Sequence, residues 1–224
     1  MKRARFTVPK FEVASLSRLF VAMCVLAIGH SVAHAQSADA VVDRLQAKYE
    51  SIDGLEATFT QTMSSEYLDA PETASGKVIL SGKRVRIETS RQTFVSDGLV
   101  TWLYDARTDE VLINDYIEEE MFPVREFLFD YERTYDVVSV EEAVDRGSDV
   151  QVVRLRARDG TTPYRDLTIS VRDRDDVISR IELVDVNETR MVFELEDVVL
   201  NPTITSETFT FSPPAGSEVI DLRS

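Results

Sequence analysis

Two different periods of hydrophobic residues follow one another along the chain. Between Ser37 and Tyr49, apolar side chains fall on one stripe at helical spacing, formed by Val41, Val42, Leu45 and Tyr49. Ser37 precedes this stripe and can cap a helix, and Gly54 follows it and favours the end of a helix. The segment therefore predicts one amphipathic helix that packs against the structure that follows it.

From Leu55 onward the hydrophobic period is two. The clearest runs of alternating apolar and polar residues are 153–158, 166–171 and 191–196. Alternation of this kind predicts strands with one dry face and one wet face, as in antiparallel sheets. Short turn signals such as Asp97-Gly98 separate the runs. We count about eleven strands between Leu55 and Val199, which predicts a barrel or one strongly curved sheet.

One apolar segment breaks this alternation. In residues 121–131 (MFPVREFLFDY), Pro123 stands where a helix can begin, and apolar side chains follow it at helical spacing. The apolar residues of the segment are Phe122, Val124, Phe127, Leu128 and Tyr131. A short apolar helix inside a β protein predicts either a lid or plug, or a segment that completes the core at an open end of the sheet. The sequence leaves these two interpretations about even.

The N-terminus predicts a secretory signal peptide over residues 1–35. Basic residues lead into an apolar run of eleven residues, 19–29, and the small-residue pattern Ala33-His34-Ala35 follows. This is the order of a basic region, an apolar region and a cleavage site, and the run is too short to cross a bilayer. Cleavage after Ala35 would leave residues 36–224, a length that suits one domain.

Loss of this leader would change the chemistry that the chain can perform. The single Cys and both His residues lie within it, so residues 36–224 carry no thiol and no imidazole. Disulfides, thiol or imidazole nucleophiles and zinc sites built on Cys or His are therefore excluded there. The leader also holds five of the 25 basic residues but one of the 40 acidic residues, so the remaining net charge is −19. Such a charge disfavours nucleic acid as a partner.

The abundant acidic residues form no recognisable catalytic arrangement. Asp173, Asp175 and Asp176 are close enough in sequence to suggest a hard cation, but they lack the Gly and the distal Glu of a calcium loop. A hairpin turn accounts for them better. An esterase remains a remote alternative. We therefore predict no enzyme, no metal site and no cofactor.

Four motifs follow one another along the chain: 55–61 (LEATFTQ), 75–80 (SGKVIL), 94–105 (FVSDGLVTWLYD) and 209–221 (FTFSPPAGSEVID). In this order they resemble four landmarks of LolA proteins, the periplasmic carriers of outer-membrane lipoproteins. The landmarks are an Ala-x-Phe-x-Gln strand, a Gly-x-Leu/Val strand, a Ser-Asp-Gly-x-x-x-Trp-x-Tyr hairpin and a Phe-x-Phe-x-Pro-Pro-x-Gly-x-x-Val closing segment. The resemblance extends over nearly all of residues 38–222.

This resemblance implies both a fold and a function. The implied fold is mainly β: an incomplete, half-open antiparallel β-barrel of about eleven strands, with an N-terminal helix and short lid helices over an apolar cavity. The implied function is that of a monomeric periplasmic carrier, which receives acylated lipoproteins from an inner-membrane ABC exporter and passes them to an outer-membrane acceptor. Related folds also serve as periplasmic sensors of lipid or peptide, and a regulatory protein is the alternative function.

The residues expected to bind acyl chains come from the sheet and from the lid. They are Val85, Ile87, Trp102 and Tyr104 on the sheet, and Phe122, Val124, Phe127, Leu128 and Tyr131 in the lid. In the family, a Lys-Arg-Pro turn commonly supplies an Arg that holds the lid shut. This chain has Ser81-Gly82-Lys83-Arg84 at that place. Arg84 or Arg86 would replace the family's Arg by donating hydrogen bonds to lid carbonyls, or would be ordinary strand arginines.

Overall fold

The structure, a computed structural model, describes residues 38–117, 134–158, 160 and 162–223. Its N-terminal helix, α1, spans Ala38–Glu50. The stripe of apolar residues that predicts this helix is buried, with Val42 and Leu45 fully so. No helix in the described ranges combines the length and the hydrophobicity that a membrane-spanning helix needs.

Twelve strands form one sheet. Their bounds are β1 Leu55–Ser64, β2 Glu72–Ser81, β3 Arg84–Thr89, β4 Gln92–Ser96, β5 Val100–Asp105, β6 Glu110–Asp115, β7 Tyr135–Asp145, β8 Ser148–Ala157, β9 Tyr164–Arg172, β10 Ile178–Asp185, β11 Arg190–Leu200 and β12 Glu218–Asp221. Eleven of them lie between Leu55 and Leu200, which confirms the strand count that the alternation predicts. The twelfth strand lies in the closing segment, beyond the range over which the alternation predicts strands.

The strand order in the sheet is β12-β6-β5-β4-β3-β2-β1-β11-β10-β9-β8-β7. Neighbouring strands are antiparallel except β12, which runs parallel to β6. The end strands, β12 and β7, are not paired with each other, so the sheet is open. This confirms the prediction of an incomplete antiparallel barrel. The predicted lid segment lies outside the described residues.

The main core lies between α1 and one face of the sheet, which we call the inner face. The buried side chains of α1 pack there against residues from β1, β2 and β7–β11, including Phe59, Val78, Tyr135, Leu155, Leu167, Ile169 and Ile181. Long apolar side chains at every second position of these strands supply the inner half of this core. The hydrophobic effect of this burial holds the helix on the sheet.

Polar contacts fix the position of α1 along the sheet. The Arg44 guanidinium donates from Nε to Asp176 Oδ1 at 2.9 Å and from Nη2 to Gln151 Oε1 at 2.9 Å. Lys48 donates to the backbone carbonyl of Asp175. The acidic residues that follow β9 therefore form the β9–β10 turn and receive the basic side chains of the helix.

The outer face of β3–β6 is crossed by residues 201–217, which we call the C-terminal segment. It contains a short 3-10 helix, Ser206–Phe209, and its Phe209 is 1% exposed. The Phe211 ring lies 6.3 Å from the Tyr104 ring, centroid to centroid. Val95 and Val111, which are fully buried, are the strand partners of Arg86 and Tyr104 on this face. The C-terminal segment thus covers part of the outer face of these strands.

Candidate functional site

A continuous row of apolar side chains crosses the sheet on its inner face. Residues that lie directly opposite each other in an antiparallel pair project to the same face. The strand registers pair Val78 with Ile87, Ile87 with Phe94, Phe94 with Leu103, and Leu103 with Leu112. We call these five residues the apolar row. Val78 is itself paired with Ala57 of the main core, which places the row on the inner face.

The apolar row begins in the core and continues beyond it. Val78 is 8% exposed and belongs to the core beneath α1, and Ile87 packs against that core. Phe94, Leu103 and Leu112 are only partly buried. In the part of the chain that the structure describes, these three side chains lie outside the core cluster. The inner face of β4–β6 therefore presents apolar surface that α1 does not seal.

Polar residues border the row on both sides. The bordering residues lie on the same face as the row, two residues further along β4, β5 and β6. In one direction they are Ser96, Thr101 and Asn114, and in the opposite direction they are Gln92, Asp105 and Glu110. Thr101 Oγ1 donates to the Asn114 carbonyl at 3.4 Å. On the other side, Gln92 Nε2 donates to Asp105 Oδ2 at 3.2 Å. These contacts hold the polar borders in place beside the row.

The border carboxylate Asp105 is ionised at every physiological pH. Hydrogen bonds from the Arg107 side chain and backbone, and then from Gln92, lower the pKa of Asp105 to about 2. The Arg107 guanidinium lies 3.2 Å from Asp105 Oδ2. The hairpin between β5 and β6 thus carries a fixed ion pair at the edge of the apolar row.

The structure brings together two of the four residues that we expected on the sheet side of the site. Val85 and Ile87 share the inner face with the apolar row. Trp102 and Tyr104 project to the outer face, because Leu103 between them is the residue paired with Phe94 and Leu112. The Tyr104 hydroxyl donates to Asp109 Oδ1 at 3.2 Å. Trp102 and Tyr104 thus lie on the face that the C-terminal segment crosses.

Arg84 and Arg86 contact that same segment. The Arg84 guanidinium lies 4.7 Å from the centroid of the Phe209 ring, and its Nη2 donates to Ser81 Oγ at 2.9 Å. Arg86 Nη1 donates to the carbonyls of Thr208 and Thr210 at 3.2 and 3.3 Å. Arg86 therefore donates hydrogen bonds to backbone carbonyls, and these carbonyls belong to the C-terminal segment.

The expected lid residues are not placed by the structure. Phe122, Val124, Phe127, Leu128 and Tyr131 all lie outside the described residues. Their part in a site, and the locking of a lid by Arg84 or Arg86, remain sequence-based predictions.

The sequence-based selection missed Phe94, Leu103 and Leu112. The turns contain the information needed to find these residues, because the hairpin loop around Asp97-Gly98 sets which residues of β4 and β5 face each other. Counting outward from that turn pairs Phe94 with Leu103. Large apolar residues alone do not reveal the face on which they lie.

The arrangement suits an apolar ligand held without directional bonds. Across the described ranges, no group of three His, Cys, Asp or Glu side chains is placed to hold a metal ion. The exposed part of the apolar row offers hydrophobic contact over several strands, and such contact is proportional to the apolar area removed from water. Release of such a ligand requires no bond to be broken.

Comparisons with known proteins agree with the fold. The family described as outer membrane lipoprotein carrier protein LolA matches residues 50–212. An outer-membrane lipoprotein carrier protein of Halorhodospira halophila is 28% identical over 130 residues, which are 58% of this chain and 59% of that relative. The carrier protein of Pseudomonas paraeruginosa is 27% identical over 206 residues, 90% of this chain and 96% of that relative.

A solved structure supports the same architecture. An uncharacterized conserved protein from Thermus thermophilus superposes with a TM-score of 0.54 at 12% identity, covering 83% of this chain and 99% of the other. At that identity the likeness shows the fold alone. The family match extends from the last residue of α1 into the C-terminal segment, more than half of the chain. The chain therefore belongs to the LolA family of outer membrane lipoprotein carrier proteins.

Proposed function

We propose that this protein binds the acyl chains of lipoproteins on the inner face of its sheet and carries them through the periplasm. One observation carries the proposal: on the inner face of β4–β6, Phe94, Leu103 and Leu112 form a continuous apolar line that is only partly buried and lies outside the core beneath α1. A folded protein that leaves such a row open has a surface prepared for an apolar partner. Because the chain belongs to the LolA family, we propose that this apolar partner is a lipoprotein.

The energetics of acyl transfer favour this mode of binding. Each methylene buried from water contributes roughly 0.8 kcal/mol, so a long acyl chain needs a cover while it crosses an aqueous compartment. Hydrophobic contacts are non-directional, so an acyl chain can bind in more than one position on the apolar surface. A carrier also has to release its cargo, and the described part of the row offers hydrophobic contact without a fixed bonding geometry.

The route of transport rests on the leader and on the family. The proposed signal peptide, residues 1–35, would export residues 36–224 to the periplasm. There the carrier would receive acylated lipoproteins from an inner-membrane ABC exporter and deliver them to an outer-membrane acceptor. We also propose that it acts as a monomer and that the sequence-predicted lid closes over the bound chains.

Native mass spectrometry of the protein purified from the periplasm tests binding directly. We expect a mass increase from bound acylated cargo, removable by organic solvent. Leu103→Asp, in the middle of the apolar row, should abolish this increase while the circular dichroism spectrum stays unchanged. The matched control is Val144→Asp, since Val144 is an exposed apolar residue on β7 and its loss should not affect cargo. Bare protein from cells supplied with exporter and lipoprotein would contradict the proposal.

Delivery requires a separate experiment. Spheroplasts that release a labelled lipoprotein only when carrier is added should release it with the wild-type protein, and outer-membrane vesicles with acceptor should then take it up. The lid prediction is tested in the same assay with Leu128→Glu, which should weaken release of the lipoprotein into solution. Full release by a folded Leu128→Glu variant would remove Leu128 from the site but leave the role of the row intact.

A further inference from the structure

We infer that a bound acyl chain lies across the strands, along the apolar row, and that the polar borders confine it to that single row. The inference rests on the proposed function and adds the direction of the ligand and the residues that set its position. It follows from the shape of the apolar surface on the inner face.

Over β4–β6 the apolar surface is long in one direction only. Val78 lies beneath α1, so the accessible line begins at Ile87 on β3. It passes Phe94, Leu103 and Leu112 and ends at Ile220 on β12, the register partner of Leu112. These are five neighbouring strands, and at about 4.8 Å between strands they give a path of about 19 Å.

Along β4, β5 and β6 the apolar surface is short. The next side chains on the inner face lie about 7 Å away, two residues along the strand. On β5 these are Thr101 on one side and Asp105 on the other, and on β6 they are Asn114 and Glu110. An acyl chain laid along β5 would therefore leave Leu103 within a few methylenes and meet a polar group in either direction.

The polar borders resist being covered. Asp105 is bonded to Gln92 and paired with Arg107, and its carboxylate stays charged. Covering such a group with methylenes removes water from a charge and returns no hydrogen bond, which is costly. Thr101 and Asn114 form a milder polar border, because both side chains are uncharged. Both borders favour a chain that keeps to the row.

Photocrosslinking distinguishes the two directions. The probes are lipopeptides with one palmitoyl chain that carries a diazirine either at mid-chain or at its last carbon. A chain across the strands places the two labels on different strands in the same row, for example at Leu103 and at Leu112 or Ile87. A chain along a strand places them on one strand in different rows, for example at Leu103 and at Thr101 or Asp105, and this result would overturn the inference.

A chain-length series gives a second readout. Leu112→Asn makes the far end of the row polar, so the affinity for a palmitoyl lipopeptide should fall about tenfold, as expected for two methylenes losing their cover. A decanoyl lipopeptide, which the remaining row accommodates, should lose less than about threefold. Val144→Asn, at an exposed apolar position on β7, is the matched control and should change neither affinity. Equal losses for both chain lengths would contradict a ligand that follows the row.

The two levels of the proposal fail in different ways. If neither lipopeptide binds the wild-type protein, the proposed function itself is wrong. If both bind but the crosslinks follow one strand, acyl binding stands and the direction inferred here is wrong.

Discussion

At the scale of single residues, the site depends on side chains that pin the sheet and the helix in one arrangement. Tyr49, at the end of α1, is 4% exposed, and its hydroxyl oxygen accepts a hydrogen bond from the backbone N–H of Ile178 at 2.9 Å. Burial raises the pKa of Tyr49 to about 12, against a smaller lowering by that hydrogen bond. The neutral phenol is thus the form that fits the fold.

Tyr49 makes stability fall in alkaline solution. Because its pKa is higher in the folded protein than the value of 10.0 expected when unfolded, its contribution is complete below pH 10 and is lost as the pH rises through about 12. The loss amounts to about 2–3 kcal/mol in the free energy of unfolding. In urea titrations at pH 9 to 12, Tyr49→Phe should be less stable than the wild type at pH 9 and should lose less stability over the range. Parallel curves for the two proteins would contradict this assignment.

Gly76 is a second position at which one atom decides the packing. A Cβ on Gly76 would lie 2.1 Å from the Glu88 carbonyl oxygen and 2.8 Å from Cζ of Phe59. The absence of a side chain allows the Phe59 ring to lie against the sheet beside the core. The small residue is required by this close approach.

Gly76→Ala should lower the free energy of unfolding by about 1–3 kcal/mol, since the added methyl group overpacks the site. Gly160→Ala is the control, because its Cβ would meet no atom within 4 Å, and it should change stability by less than about 0.5 kcal/mol. Chemical denaturation of both variants measures the difference. Similar stability in the two would show that the sheet accommodates the methyl group at Gly76.

At the scale of elements, the helix and the strands were predictable, and the face of β5 was not. The stripe of α1 and the period of two reflect local burial, so the sequence reveals them directly. In β5 (VTWLYD), however, both faces carry apolar residues, Trp102 and Tyr104 on one and Leu103 on the other. The outer face is apolar because the C-terminal segment, distant in sequence, packs against it, as the Phe211 ring does against Tyr104. No local pattern reports such a contact.

Arg86 is the main polar link between β3 and the C-terminal segment. Charge-assisted hydrogen bonds of this kind stabilise by about 1.5–3 kcal/mol, so Arg86→Met should lower the stability of the segment by an amount in that range. Amide hydrogen exchange at Thr208–Thr210 should become faster, whereas acyl binding on the inner face should be retained. The control is Arg154→Met, whose 2.6 Å ion pair with Glu141 is exposed on both sides and worth little. Unchanged exchange in Arg86→Met would show that apolar packing alone holds the segment.

At the scale of the whole molecule, the two faces of the sheet have different tasks and the surface carries a large negative charge. On strands β7–β11, arginines on the outer side pair with neighbouring carboxylates, as in Arg190–Glu182 and Arg156–Asp166. These pairs neutralise part of the surface, but the chain keeps a net charge of −15. Mutual repulsion among the remaining carboxylates opposes the compact state.

Salt should therefore stabilise the protein. Screening weakens exposed ion pairs, which contribute little, and it weakens the repulsion of the excess carboxylates as well. We expect the melting temperature of the protein to rise between low salt and about 1 M NaCl, at which the Debye length is about 3 Å. Potassium chloride should act equally if screening is the cause. A melting temperature that stays constant or falls would show that the ion pairs outweigh the repulsion.

The parallel pairing of β12 with β6 also has a consequence for how the chain folds. Glu218 aligns with Glu110, and Leu55 aligns with Leu200, so both joins link residues more than a hundred positions apart. Topologies dominated by such distant contacts fold slowly. Val95 and Val111 lie on the face that the C-terminal segment crosses. We therefore expect a folding intermediate in which this apolar face of β4–β6 is still uncovered, and which disappears only when the C-terminal segment docks.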